Sequence, residues 1–114
     1  MRGVVTVTLL TPVYGDEGPL GNRSITWEPE EVAGVLFAPG DASSMPADRP
    51  EGAAADATFH FPKAYSALRD RPMRGCRIEY GGRTWRVIGD PVPYPAALVP
   101  GPWNFPVEAE ATHG

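Results

Sequence analysis

The stretch that decides the fold is Cys76-Arg77-Ile78-Glu79-Tyr80-Gly81-Gly82-Arg83-Thr84-Trp85-Arg86-Val87-Ile88-Gly89. Two adjacent glycines between alternating apolar and polar residues are typical of a two-residue hairpin turn with positive φ. A turn centred on Gly81 and Gly82 pairs Tyr80 with Arg83 and Ile78 with Trp85. The sequence therefore predicts a hairpin whose inward face consists of Cys76, Ile78, Tyr80, Trp85 and Val87.

Three more strands are predicted upstream of this hairpin. Residues 4–10 alternate valine and leucine with threonine, which indicates a half-buried strand. Residues 24–28 and 32–38 indicate two further strands, separated by a bend at Glu30 and Glu31. Residues 11–22 are rich in proline, glycine and acidic side chains, so we expect an exposed loop there.

The remaining elements alternate between strands and connections. Residues 57–61 place three apolar side chains on one face and predict a strand, whereas residues 63–74 allow at most a helical turn. Prolines spaced through residues 91–106 exclude a central strand and predict an extended crossover. Residues 107–111 alternate again and predict a last strand at a sheet edge, with Glu108 and Glu110 in water.

Length and composition limit the fold to one loop-rich domain. The 114 residues suffice for a single core, and Gly 13 with Pro 14 argues against a helical protein. A hydrophobic content of 42% still provides enough apolar surface to fold. We therefore predict one all-β domain over residues 1–114, a small β-barrel of about six or seven short strands with long loops.

One segment contains little that could anchor it to a core. Residues 40–56 form a run in which Met45 is the only large apolar side chain. A structureless stretch of this length is uncommon in a compact domain, and such stretches are usually functional or disordered. Two interpretations stay open: a mobile surface loop, or a segment that becomes ordered against a partner.

Charge and cysteine content exclude several classes of protein. A formal net charge of −4 provides no broad basic surface for sequence-specific nucleic-acid binding. A single Cys cannot form an internal disulfide, which suits a reducing compartment. The first apolar run is interrupted by threonines and is too short for a signal sequence or a membrane span. We expect a protein that is made and kept inside a cell, without a membrane.

The side chains do not form a recognisable catalytic or metal-binding pattern. His60, His113 and Cys76 lack the spacing that zinc requires, so we interpret the histidines as exposed and the cysteine as a small buried residue. The paired carboxylates lie in turns or on an exposed strand face, and the glycines give no phosphate-binding motif. We therefore expect no enzyme activity, no metal and no cofactor.

Three aromatic residues near the C-terminal strand leave two interpretations open. Tyr94, Trp103 and Phe105 could form a platform for a sugar, a peptide or a base. Alternatively, the rings fold down to cover one end of the barrel. The first interpretation corresponds to a small β-sandwich module that binds glycans or peptides, which we keep as the alternative from a different class.

Five stretches, in this order, carry a resemblance to a known family. They are residues 11–21, 35–40 (Val-Leu-Phe-Ala-Pro-Gly), 57–62 (Ala-Thr-Phe-His-Phe-Pro), 74–91 and 103–110. Their order and spacing resemble the small head-to-tail connector proteins of long-tailed bacteriophages, specifically the head-closure or stopper group of phages and prophages of Gram-positive bacteria. The likeness spans most of the chain and is a pattern of strands and turns without catalytic signatures.

The resemblance implies a structural role. Such a subunit is a β-barrel that forms a ring of its own copies beneath the portal and adaptor, retains the packaged DNA and provides a docking face for the tail terminator or tail tube. It belongs to the virion, at the head–tail junction, and to the host cytoplasm during assembly. Tail terminators and other head–tail adaptors share parts of the pattern and remain alternatives.

Site residues follow from this resemblance and from the needs of a ring. The long loop corresponds to the segment that faces the channel, where like charge would keep DNA from adhering. Because each subunit of a ring contacts two neighbours through different patches, we expect Tyr94, Trp103 and Phe105 to lie at subunit or partner interfaces. The residues expected in the channel loop are Asp41, Met45, Asp48, Arg49, Glu51 and Asp56.

Overall fold

The protein is a closed, six-stranded antiparallel β-barrel, described in a computed structural model over residues 3–18, 21, 23–39 and 56–112. The strands follow one another around the barrel in the order β1-β2-β3-β6-β5-β4. One helical turn, α1 (Lys63–Ser66), follows β3, and a short 3-10 helix (Ala96–Leu98) precedes β6. The strands are β1 (Val4–Glu17), β2 (Arg23–Pro39), β3 (Ala57–Pro62), β4 (Arg77–Tyr80), β5 (Arg83–Val87) and β6 (Trp103–Ala111).

The hairpin predicted around Gly81 and Gly82 is confirmed in its turn and in its register. Both glycines have positive φ, 65° and 77°, which is the conformation that a two-residue turn requires. Tyr80 pairs with Arg83, and Ile78 pairs with Trp85. The predicted inward face is also confirmed, because Tyr80 packs against the core and the other four side chains are buried: Cys76, Ile78, Trp85 and Val87.

The first two strands are longer than predicted. Residues 11–17 continue β1 instead of forming a loop, and residues 23–39 form one strand instead of two separated by a bend. Cross-strand pairing accounts for the difference, since the β1–β2 ladder runs on past the prolines. Pro12 and Pro29 lie in alternate pairs of that ladder, Pro12–Trp27 and Leu10–Pro29. A proline, which lacks an N–H donor, is tolerated where that position faces the unpaired edge of a strand.

A bulge, not a bend, adjusts β2 to the barrel. The β1–β2 register shifts between Val5 and Val7, and Gly34 of β2 has a φ of 75°. Glycine adopts this left-handed conformation without strain, so β2 accommodates one extra residue there. As a result Val32 and Val35 are both buried, although their spacing does not fit simple alternation.

The last strand lies inside the sheet and not at an edge, so that prediction was wrong. β6 pairs with β3 along one side and with β5 along the other. Closure of the barrel provides both partners, and closure could not be inferred from the alternation of residues 107–111 alone. Glu110 is therefore partly covered and forms an ion pair with Arg86 on the neighbouring strand.

Aromatic rings fill the barrel in two groups. Phe59 is fully buried and lies with its centroid 5.2 Å from Phe37 and 5.6 Å from Trp85. Phe61, also fully buried, lies 5.4 Å from Tyr65 and 6.2 Å from Phe105. Such tilted and edge-on contacts add to the stabilisation that apolar burial provides.

The two ends of the barrel differ. At the end that we call the loop end, β2 finishes opposite the start of β3, and the β4–β5 turn lies at the same end. At the other end, which we call the arm end, β1 and β2 extend beyond the barrel, and α1 follows β3. Residues 63–75 cross this end and place Met73 in the core, so we call them the cap.

Removing the Phe59 ring should destabilise the barrel strongly. Phe59→Ala would leave a cavity among three other rings, so the free energy of unfolding should fall by about 3–5 kcal/mol. Denaturant unfolding followed by tryptophan fluorescence measures the change. Leu68→Ala is the matched control, because Leu68 is 83% exposed and should change stability by less than about 0.5 kcal/mol. Equal losses in the two variants would contradict the assignment of the core.

Candidate interaction surface

The β1–β2 hairpin projects from the barrel as a two-stranded arm. β4 pairs with β1 only as far as Leu10, which faces Arg77. Beyond that point β1 and β2 pair with each other, and we call residues 11–17 and 23–28 the arm. Seven residues of extended strand span roughly 23 Å. The arm therefore carries backbone and side chains well past the last rung that closes the barrel.

The outer face of the arm is apolar. Alternation along the ladder puts the pairs Pro12–Trp27 and Tyr14–Ile25 on the same face, and we call these four residues the apolar strip. Tyr14 is 57% exposed and Ile25 is 49% exposed. The guanidinium of Arg77 lies 4.7 Å from the Trp27 ring centroid, a cation–π contact that fixes the base of the strip.

The opposite face of the arm is tied to the cap through Arg69. Its guanidinium donates to the Tyr65 hydroxyl and to the Pro72 carbonyl, both at 2.8 Å. It also lies 3.4 Å from the Thr11 hydroxyl and 3.3 Å from the Cys76 sulfur. Because Thr11 and Cys76 are buried, Arg69 provides polar contacts to groups that water does not reach.

Tyr65 links the same cluster to β2. Its hydroxyl donates to Glu30 at 2.8 Å while it accepts from Arg69. Burial and the hydrogen bond to Glu30 raise the pKa of Tyr65 to about 12, and the nearby Arg69 charge opposes this rise. The phenol therefore stays neutral and keeps donating its proton to Glu30 at physiological pH.

The crossover between β5 and β6, residues 88–102, is hydrogen-bonded to β6 from Glu108 to Asn104, toward the arm end. Ile88 donates its backbone N–H to Glu108, and Tyr94 donates to the Asn104 carbonyl. The buried Asn104 side chain returns a bond to the Tyr94 carbonyl at 2.7 Å and accepts one from Ser66 at 2.9 Å. One amide thus attaches both the crossover and α1 to the arm end of the barrel.

The exposed apolar side chains concentrate at this end of the molecule. Within the described ranges, the large apolar side chains that stay exposed belong to the arm, the cap or the crossover. We call them together the arm-end surface, and concentrations of this kind mark interaction sites. They are Val13, Tyr14, Ile25, Leu68, Val92, Tyr94 and Leu98.

The three aromatic residues singled out in the sequence do not form a platform. Phe105 is 4% exposed and packs in the core, so its ring is not available to a ligand or to a neighbouring subunit. Trp103 is half-buried and donates its indole N–H to the Gly34 carbonyl at 2.8 Å. Tyr94 alone remains exposed. The alternative interpretation, rings that cover a barrel end, fits Trp103 and Phe105.

Most of the predicted channel loop lies outside the described residues. This applies to Asp41, Met45, Asp48, Arg49 and Glu51. Asp56 is described, and it is bound to β6: its backbone N–H donates to Ala109, and its carboxylate accepts the N–H of Ala111 at 2.9 Å. Asp56 therefore attaches the base of the loop to the barrel.

The cysteine and one of the two histidines considered as metal ligands in the sequence lie in the described part of the chain. Cys76 is fully buried, as predicted, and contacts Arg69 and Thr11. His60 is half-buried, not exposed as predicted, because β3 is flanked by β2 and β6, and burial lowers its pKa below the usual 6.5. His113 is outside the described residues.

The described residues contain neither a metal-binding cluster nor a helix that could span a membrane. Among residues 3–18, 21, 23–39 and 56–112, no three His, Cys, Asp or Glu side chains come together where they could ligate a metal. In the same ranges no helix is long and apolar enough to span a membrane. The chain matches no model of a known protein family and no curated protein.

Two residues that organise this surface were not found from the sequence. Arg69 lies among mixed charged residues, and nothing local indicates that its partners come from β1 and β4. Asn104 follows Trp103 in a proline-rich stretch, where asparagine is typical of an ordinary turn. Alternation with Val107 and Ala109 assigns Asn104 to the outward phase of the strand, so its burial, beside a register shift between β3 and β6, had no local signal.

Replacing Arg69 should loosen the joint between arm and cap. Arg69→Ala leaves the buried Thr11 and Cys76 without that polar contact, so the free energy of unfolding should fall by about 2–3 kcal/mol. Arg71→Ala is the matched control on the same segment, because Arg71 forms only an exposed ion pair with Glu28 and should cost far less. Urea unfolding of the two variants tests this, and a larger loss for Arg71→Ala would refute the role given to Arg69.

Proposed function

We propose that this protein is a structural subunit of a phage virion, a head-to-tail connector of the stopper type that works as a ring and without catalysis. The observation that carries the proposal is the difference between the two ends of the barrel. One end bears the projecting arm and the exposed apolar side chains, and at the other end β2 finishes at Pro39 and β3 begins at Ala57. A connector subunit has to meet different partners along the axis of the virion, and two unlike ends suit that task.

The fold supports the same proposal. The stretches on which the resemblance depends become parts of one barrel: residues 35–39 lie in β2, residues 57–62 form β3, and residues 103–110 lie in β6. The β4–β5 hairpin lies in the fourth stretch and has the predicted register, whereas residues 11–17 of the remaining stretch continue β1 instead of forming the predicted loop. A β-barrel subunit is what the resemblance to head-closure proteins implies.

The exposed apolar surface supports assembly. Exposed large apolar side chains gathered at one end of a protein commonly mark a protein–protein interface. Here the exposed residues include Tyr14 on the arm and Leu98 on the crossover, the latter 78% exposed. Contact with copies of the same chain in a ring, and with connector proteins above and below, would cover them.

The loop end suits the channel side of such a ring. Residues 40–55 contain three acidic side chains and one arginine, and Asp56 anchors the end of this segment to β6. A net negative segment placed at the passage would repel DNA and leave closure to steric contact. We therefore place the loop end toward the DNA channel and the arm end at contacts between proteins.

Assembly with connector proteins tests this proposal. The purified protein, mixed with portal and adaptor proteins from the same phage or prophage, should enter ring-shaped particles visible by negative-stain electron microscopy. Its position in the particle distinguishes a stopper from a tail terminator or an adaptor.

Two results would count against the proposal. One is persistent failure to join any connector component. The other is a saturable change in tryptophan fluorescence on titration with glycans or peptides, which would favour a ligand-binding module instead.

A further inference from the structure

The cap contains a stretch that no strand ladder holds in place. Residues 67–75, which we call the strap, connect α1 to Cys76, one residue before β4. Within the described part of the chain, no backbone hydrogen bond joins the strap to a strand. Its backbone bonds are local, since its first N–H groups donate to Lys63 and Tyr65, and the Met73 carbonyl accepts from Cys76. Such local bonds do not fasten the strap to the barrel.

Two side chains attach the strap to the arm end of the barrel. Seven of its nine residues are exposed, Met73 is fully buried, and Arg69 is partly buried. Arg71 also leaves the strap to form an ion pair with Glu28, but that pair is exposed on both sides and contributes little. One apolar anchor and one guanidinium therefore provide most of the attachment.

The barrel wall is held much more firmly. Each of the six strands pairs with a neighbour on both sides, and β3 alone buries Ala57, Phe59 and Phe61 completely. Segments with few buried apolar contacts and no ladder bonds open at a lower free energy than the whole domain unfolds. The strap is the described segment at the arm end that meets both conditions.

We propose that the strap lifts off the arm end as a unit while the wall stays closed, and that Arg69 is the side chain that holds it down. Lifting withdraws Met73 from the core and uncovers the Cys76 thiol, and no strand pair of the wall has to break. Gly75, at one end of the strap, has a φ of 81° and provides backbone freedom for a pivot. This motion belongs to a single chain and does not depend on assembly into a ring.

Arg69 suits this role because it joins three parts of the molecule. Its guanidinium contacts the Tyr65 hydroxyl of α1, the Thr11 hydroxyl of β1 and the Cys76 sulfur. Hydrogen bonds from a charged donor contribute more than neutral ones. In the open state water reaches these groups, so opening leaves none of them both buried and unsatisfied.

The reaction of Cys76 with the thiol reagent DTNB measures the opening in the full chain. Cys76 is the one cysteine of the sequence and is fully buried, so it reacts only in molecules that have opened. We expect the rate to depend weakly on urea below the unfolding transition, because lifting the strap exposes little surface. A rate with the same urea dependence as global unfolding throughout would overturn the inference.

Variants of the strap identify the side chain that holds it. Arg69→Ala should raise the DTNB rate in water roughly 30–100-fold, after correction for the rate of each unfolded chain. Arg71→Ala is the matched control on the same segment and should raise it about threefold at most. Arg69→Lys keeps the charge without the forked donors and should fall between the two. Equal rates for Arg69→Ala and Arg71→Ala would overturn the role of Arg69.

A variant of the wall separates opening of the strap from unfolding of the barrel. Phe59→Leu weakens the ring group of Phe37, Phe59 and Trp85, so the equilibrium constant for unfolding should rise. The DTNB rate in water should stay within about twofold of the wild-type rate, because the wall is intact when the strap lifts. If the DTNB rate rises by the same factor as the unfolding constant, Cys76 is reached through global unfolding and the inference is overturned.

Discussion

The three residue pairs between β1 and β4 close the barrel, and the rest of the structure depends on where that ladder stops. Residues 8–10 pair with Arg77–Glu79 in reverse order, and β4 contains four residues in all. β1 contains 14 residues and β2 contains 17, so residues 11–17 and 23–28 have no place in the wall at the arm end. These additional residues of β1 and β2 can pair only with each other. A short closing strand thus produces the arm.

The same constraint explains why polar groups gather at the arm end. Where the wall stops, the cap has to cover the core, and it brings backbone carbonyls and a phenol over buried side chains. Arg69 satisfies several of these groups at once, and the Tyr65–Glu30 bond fastens the cap to β2. Asn104 does the same for the crossover. Hydrogen bonding therefore orients the segments that bear the exposed apolar side chains.

Features set by neighbouring residues could be predicted from the sequence, whereas features set by pairing between distant strands could not. The β4–β5 hairpin was predicted to the residue, because a Gly-Gly turn fixes its own register. The ends of β1 and β2 were not predicted, because their prolines and glycines resemble loop residues and only cross-strand pairing shows otherwise. Strand β6 was placed at an edge because barrel closure is a property of the whole wall. Phe105 was taken for a surface ring because burial depends on β3, which lies far away in sequence.

The residues that stabilise the barrel are separate from those that stay exposed. The core and its closing ladder lie below the arm, while the arm, the cap and the crossover carry the exposed large apolar side chains of the described residues. The proposed ring of connector subunits would use this exposed surface for its contacts.

Shortening the arm tests this division most directly. Pro12 and Trp27 face each other across the ladder, so residues 13–26 can be replaced by Asn-Gly, which forms a two-residue hairpin turn. The account predicts that the shortened protein keeps a cooperative unfolding transition and most of its stability, and that it no longer associates with copies of itself in analytical ultracentrifugation under conditions where the full chain does. A shortened chain that fails to fold, or one that associates as the full chain does, would contradict it.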